Sequence, residues 1–291
     1  MRLKLTNIST IQYAWLAVAG LALCGCGLSD LPPVTVTLKP ADEGVVVATA
    51  ATTETPAATA TETPAAAGGT GDLVGTVLFE GTGPSLAPLI VMGADVKDKA
   101  VCSAKAVPDE SLLVDAATKG IQNVFVFFEK APAGATDVPP PEKQIFDQAG
   151  CRFLPHGMLV RTKRPLLVLS ADAVGHNTHT YPGRNSSFNG AISANDRKGV
   201  AITYVQPERE PFKVTCDVHP WMSAYHLPLD HGYAAVSDEQ GKFMIKGLPA
   251  GSHVLKVWHE SGKLLERGYK VTIKPGENPV ELKYGAARFG K

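Results

Sequence analysis

The segment Cys216-Asp217-Val218-His219-Pro220-Trp221-Met222 places a thiolate, an imidazole and a thioether within seven residues. These are the ligand types of a type 1 copper centre, in which two His and one Cys lie in a trigonal plane and a weak Met sits on the axis. A second imidazole must come from elsewhere, and Gly175-His176-Asn177-Thr178-His179, 40 residues upstream of the cysteine, offers two. A lone cysteine near a strand end is usually a small buried hydrophobe, but one followed at fixed spacing by His and Met is not alone. The soft thioether favours copper over a structural zinc, which takes four strong ligands. Only one cysteine lies in the segment, so a two-cysteine binuclear centre is not offered, and the chain contains no His-x-His pair to hold a second metal. The expected site is therefore mononuclear, closed to substrate and suited to passing single electrons. His156, in Phe153-Leu154-Pro155-His156, is a possible additional ligand whose plainer reading is a satisfied structural histidine, whereas His226, His231, His253 and His259 have no ligand spacing.

Composition says what kind of scaffold must hold these groups. The 291 residues include 28 Gly and 22 Pro with 7% aromatics, which disfavours long helices and suits short strands between turns, so the expected fold is all-β and a helical bundle is excluded. Lys plus Arg and Asp plus Glu are both 28, leaving no basic surplus for a nucleic-acid partner. Strand-like runs lie at 73–79, 124–128, 157–160, 165–169, 200–205 and 212–216, then at 234–236, 242–245, 253–257, 269–273 and 280–282. Asp238-Glu239-Gln240-Gly241 and Pro249-Ala250-Gly251 are explicit turns. The consecutive prolines 139–141 cannot pair within a sheet, so a new unit begins after them.

Two resemblances follow from these residues. Cys-x-x-His-Pro-aromatic-Met together with the upstream His-Asn-x-His resembles the cupredoxin family, and within it the amicyanin type, over roughly residues 142–230. That resemblance implies a Greek-key β-sandwich holding one type 1 copper through His176, Cys216, His219 and Met222. Asn177 matches the family beside the first ligand, so His176 is favoured over His179, although Gly175 stands where amicyanins have Pro. The resemblance also implies that His219 presents an imidazole edge at the surface as the electron route, with Pro220 and Trp221 beside it as an apolar docking patch for a transient redox partner. The plainer reading of Trp221 is a core residue. The stretch 237–251 resembles the carboxypeptidase regulatory-like family, a prealbumin-type β-sandwich, with opening strands of the form seen at Gly75-Thr76-Val77 and 123–128. One sandwich, residues 72–131 and 231–284, would then be split by the copper-site insertion, which loop-closure entropy tolerates. Three domains in a row is the alternative.

The first residues read as an address. Arg2 and Lys4 precede an apolar run too short to span a bilayer, and Leu23-Cys24-Gly25-Cys26 resembles a bacterial lipoprotein signal with Cys26 as the lipid-bearing residue. An ordinary signal peptide is the alternative. Loss of Arg2 and Lys4 on cleavage would leave a faint acidic excess. Residues 27–71, rich in Ala, Thr, Pro and Glu with a near-repeat of Thr-Glu-Thr-Pro-Ala-Ala, read as a flexible tether from a bacterial membrane, with the folded part in the periplasm or at the cell surface. In such a compartment Cys102 and Cys151 can pair and clip the insertion to its host, or remain separate thiols. The expected function is a tethered electron carrier rather than an enzyme. A non-redox binding module and a copper capture or delivery protein are the rivals.

Overall fold

The computed structural model describes residues 68–136 and 138–290. Cys26, the signal segment and nearly all of the 27–71 tether lie outside the described residues. The chain forms β1 (Thr70–Glu80), a four-residue helix α1 (Lys99–Cys102) and β2 (Phe125–Phe127). Nine strands follow: β3 (Gln144–Gln148), β4 (Phe153–Leu154), β5 (Gly157–Arg161), β6 (Leu166–Val168), β7 (His176–Thr180), β8 (Asn189–Ile192), β9 (Val200–Ile202), β10 (Phe212–Thr215) and β11 (Ser223–Leu229). The last five are β12 (Ala234–Val236), β13 (Lys242–Pro249), β14 (Gly251–His259), β15 (Lys263–Ile273) and β16 (Gly276–Gly285). Among the described residues no helix is long and apolar enough to cross a membrane. The protein is all-β, as its composition requires.

Strands from the two ends of the described chain interleave. β1 lies between β13, antiparallel, and β16, parallel, while β2 lies between β12 and β14 in a second sheet completed by β15. Along β1 the alternate residues Leu73, Val77 and Phe79 point inward, the period-two pattern of a strand with one buried face. Gly75 belongs to that inward set because the Phe243 ring occupies its side-chain space: a Cβ there would lie 2.2 Å from the ring. Residues 144–229 form the other two sheets, ordered β5-β11-β10-β7-β8 and β4-β3-β6-β9.

The four sheets stack as layers, and two strands face a different core on each side. In β2, Val126 packs with Leu73, Val257 and Leu282, whereas Phe125 and Phe127 pack with Tyr225, Leu227 and Trp258. In β11, Tyr225, Leu227 and Leu229 face that junction, while Ala224 faces the third core with Phe146, Leu166, Val214 and Cys216. Each fully buried Phe in the junction contributes about 1.5–3 kcal/mol of transfer free energy, so the two halves are held together by a buried apolar layer. β11 leaves no periodic signal in the sequence: buried on both faces, it lacks alternation, and Pro228 reads against a strand. Several tail strands also run further than their apolar cores, β15 by six residues at its start.

Ser237 ties β12 to the segment before β2. Its buried hydroxyl donates to the Ile121 carbonyl at 2.7 Å and accepts from the Val124 N–H at 2.9 Å. Ser237→Ala leaves both backbone groups unpaired inside the core, and we expect it to lower unfolding stability by about 1–3 kcal/mol in urea titration. An unchanged midpoint would show that the bonds contribute nothing net.

Candidate metal centre

β7 begins at His176, and its alternation separates the two upstream histidines. His176, Thr178 and Thr180 are buried, whereas Asn177 and His179 face the other way. An odd separation puts residues 176 and 179 on opposite faces of a strand, so at most one can enter the core. The other ligand segment leaves the end of β10 at Cys216 and returns to β11 through a tight turn. Within it the Met222 N–H donates to the His219 carbonyl at 2.9 Å and the Cys216 N–H donates to the Met222 carbonyl at 3.3 Å.

Three donor atoms converge at this end of the sandwich. His176 Nδ1 and His219 Nδ1 lie 2.9 Å apart, and Cys216 Sγ lies 4.0 Å from the first and 3.8 Å from the second. All three residues are buried, and Met222 is buried beside them in the same core. One ion with bonds of about 2.0 Å to nitrogen and about 2.3 Å to sulfur spans such separations, and two imidazoles and one thiolate with a thioether from the same turn as the thiolate are copper-type donors. The residues present therefore fit the metal.

The electrostatics favour a thiolate. Burial opposes ionisation of Cys216, but the His176 hydrogen bond and the backbone N–H groups of Asn177, His219 and Val218 draw its pKa below the ordinary thiol value. Burial likewise disfavours charge on His176, yet the Asp172 carboxylate and the Cys216 sulfur lift it to about 9. His219 moves the opposite way: its burial and the neighbouring His176 outweigh the pull of Asp98.

Each imidazole is held from behind by a carboxylate. His176 Nε2 meets Asp172 Oδ2 at 2.9 Å, and His219 Nε2 meets Asp98 Oδ2 at 3.0 Å. Asp172 also accepts the N–H groups of Gly150 and Cys151, at 2.6 and 2.8 Å. Burial raises the Asp172 pKa, but its His176 bond and these two amides bring it below the ordinary value. Neither aspartate has a sequence signal, since both lie in loops and Asp98 is 121 residues from the ring it holds.

The structure corrects the expectation of an open His219 edge. The ring is 0% exposed. Its outer nitrogen is covered by Asp98, from the long loop between β1 and β2. Pro220 is exposed and Trp221 half-buried, the indole N–H donating to the Cys151 carbonyl at 3.2 Å and the ring standing 5.2 Å from that of His219. Cys102 and Cys151 are joined in a disulfide, which links α1 to the turn between β3 and β4. That bond lies against the site, with its sulfurs among the groups around His219.

Asn177 locks the segments of His176 and Cys216 together. Its Oδ1 accepts from the Asp217 N–H at 2.7 Å and its Nδ2 donates to Asp217 Oδ2 at 2.9 Å. His179 stands outside the convergent set, against Asp217 at 3.2 Å and stacked on Tyr181. His156 is also elsewhere: its Nε2 pairs with Glu260 and its Nδ1 lies 3.7 Å from Glu110. His226 is a core residue that burial holds neutral, its pKa pushed down to about 3, and its Nδ1 meets the Tyr204 hydroxyl at 3.0 Å.

No protein-family model matches the chain, and no curated protein matches it. Among solved structures it is similar to a proline-to-glycine mutant of amicyanin in its reduced Cu(I) form, at 16% identity over 37% of this chain and 99% of that one, with a TM-score of 0.27. It is similar to a purple cupredoxin from Nitrosopumilus maritimus at 13% identity, over 30% of this chain and 100% of that one, TM-score 0.25. A Cu-containing nitrite reductase from Thermus scotoductus SA-01 aligns at 14% identity over 34% of this chain, TM-score 0.27, and this chain spans a quarter of that enzyme's length, 25%.

Proposed function

We propose that this protein is a membrane-tethered, extracytoplasmic type 1 copper protein that carries single electrons between redox partners. The observation that carries the reading is the convergence of His176 Nδ1, His219 Nδ1 and Cys216 Sγ in a buried pocket, all within 4.8 Å of one another. Copper in such a set changes between Cu(I) and Cu(II), supplying a one-electron couple. The protein's part is to keep that change small: Asp172 and Asp98 fix the rings, the Asn177–Asp217 pair fixes the distance between ligand segments, and the apolar core around Cys216 excludes water. Met222, buried in the same core as Cys216, would supply the weak thioether donor. With four protein donors the site would offer no position to a substrate, which suits a carrier rather than a catalyst.

The partner is a redox protein that docks briefly, with exposed Pro220 and half-buried Trp221 at the contact. Lipidation at Cys26 and the 27–71 tether would hold the folded part off a bacterial membrane, on the periplasmic side or at the cell surface. Titration of the protein with Cu(II), followed by visible absorption and electron paramagnetic resonance, tests the reading. An intense thiolate-to-copper band saturating at one copper per chain supports it, and a colourless protein without tight copper binding removes it. A reversible one-electron couple would separate a carrier from a copper-delivery protein, which would instead surrender Cu(I) readily to a chelator.

The role of Met222 has its own test. Met222→Gln is expected to keep copper bound and coloured while lowering the reduction potential, because an oxygen donor in place of the weak thioether would favour Cu(II). An unchanged potential and spectrum would take Met222 out of the ligand set.

A further inference from the structure

On the reading of the site as a copper centre, we propose that Asp98 is a positioning residue of that centre, which fixes the His219 ring from outside and biases the metal toward Cu(II). The Asp98 carboxylate reaches His219 Nε2 at 3.0 Å, on the side of the ring opposite the Nδ1 that faces Cys216 and His176. Its side chain is 34% exposed while that of His219 is 0% exposed, so the carboxylate is the group between the ring and water. An imidazole whose far N–H is held by a carboxylate has one defined tautomer and orientation and is a more basic ligand. The more basic ligand stabilises the more highly charged metal ion. Asp98 therefore lowers the reduction potential, and its counterpart Asp172 makes the same contact on His176.

The carboxylate is itself held in place by its own loop, through α1 and the disulfide that joins it to the turn between β3 and β4. Asp98 adopts the left-handed backbone region, φ 56°, which aspartate tolerates better than most residues. Its carbonyl accepts the N–H groups of Val101 and Cys102, both at 2.9 Å, at the start of α1. Cys102 is then bonded to Cys151, whose N–H is bound by Asp172. One continuous frame thus runs from the ring of one proposed ligand to the ring of the other: His219, Asp98, the disulfide, Asp172, His176. In this frame the loop between β1 and β2 is part of the metal centre, although it lies outside the inserted sandwich.

The test uses the whole protein loaded with copper and three variants. Asp98→Asn keeps an oxygen acceptor and a side chain that suits the left-handed region, Asp98→Gly removes the carboxylate without backbone strain, and Asp95→Asn removes an exposed charge that pairs only with Lys99 among the contacts described. The expected order of reduction potential is wild type, then Asp98→Asn, then Asp98→Gly as the highest. The last loses about tenfold in preference for Cu(II) over Cu(I), equivalent to about 59 mV for one electron. Asp95→Asn should move the potential by much less, and the paramagnetic resonance spectrum of Asp98→Gly should differ from wild type through the altered ring orientation. Equal potentials for wild type and both Asp98 variants, or a shift of the same size in Asp95→Asn, overturn the proposal while leaving the copper reading intact. A wild-type protein that shows no thiolate-to-copper band overturns both, so the two failures are distinguishable.

Discussion

Cys216→Ser is expected to abolish the intense visible band of the copper-loaded protein completely, not merely to weaken it. The band arises from charge transfer out of the thiolate, and a serine hydroxyl at this position neither ionises near neutral pH nor offers a soft, polarizable donor. The sulfur sits 4.0 Å and 3.8 Å from the two histidine nitrogens, so its removal breaks the convergent set at its centre. The fold should tolerate the change better than the site does, because the two side chains are nearly isosteric, although burying an extra hydroxyl in an apolar core carries a cost of about 1–3 kcal/mol. Absorption and paramagnetic resonance of the copper-loaded variant, beside its urea unfolding curve, check both halves. A variant that unfolds normally and remains as intensely coloured as wild type would remove Cys216 from the ligand set.

The second large effect is on stability. Cys102 and Cys151 are 49 residues apart in sequence, and closing a loop of that size restricts the unfolded chain by about 4 kcal/mol in the chain-entropy account. Replacing both by Ala should therefore lower the unfolding free energy by roughly that amount, a large share of the roughly 5–15 kcal/mol that ordinary domains possess. Both residues are buried in the same core as Cys216 and Met222, so the loss should be felt at the convergent His–Cys site as well as globally. Urea unfolding of the double variant, compared with wild type under non-reducing conditions, measures it. A midpoint within experimental scatter of wild type would mean that the native contacts of α1 hold the segment without the covalent link.

The arrangement of charge around the site explains why the histidines behave unlike each other. Burial penalises both, but His176 gains from Asp172 and from the Cys216 sulfur, whereas His219 also feels the adjacent His176. Two imidazoles whose nitrogens approach to 2.9 Å cannot both carry a proton toward one another, and a shared metal ion relieves that conflict.

What can be read from the sequence and what cannot divides along contact distance. The grouping of Cys216, His219 and Met222 is legible because one turn carries all three, and the chemistry of thiolate, imidazole and thioether is fixed by residue type. The strand at 124–128 is legible because a short apolar run bounded by turn signals has few alternatives. The all-β class follows from Gly, Pro and the short spacing between runs. Which of His176 and His179 turns toward the core is decided by which face of β7 packs inward, a property that an imidazole at either position leaves open. That alternate residues of β2 and β11 serve different cores is likewise decided only when sheets stack, since an apolar residue is equally suited to any core. The covered edge of His219 and the carboxylates of Asp98 and Asp172 are tertiary facts in the fullest sense. An aspartate in a loop looks like any solvated surface residue until the fold brings it, across 121 positions of chain, to a buried ring nitrogen that needs an acceptor.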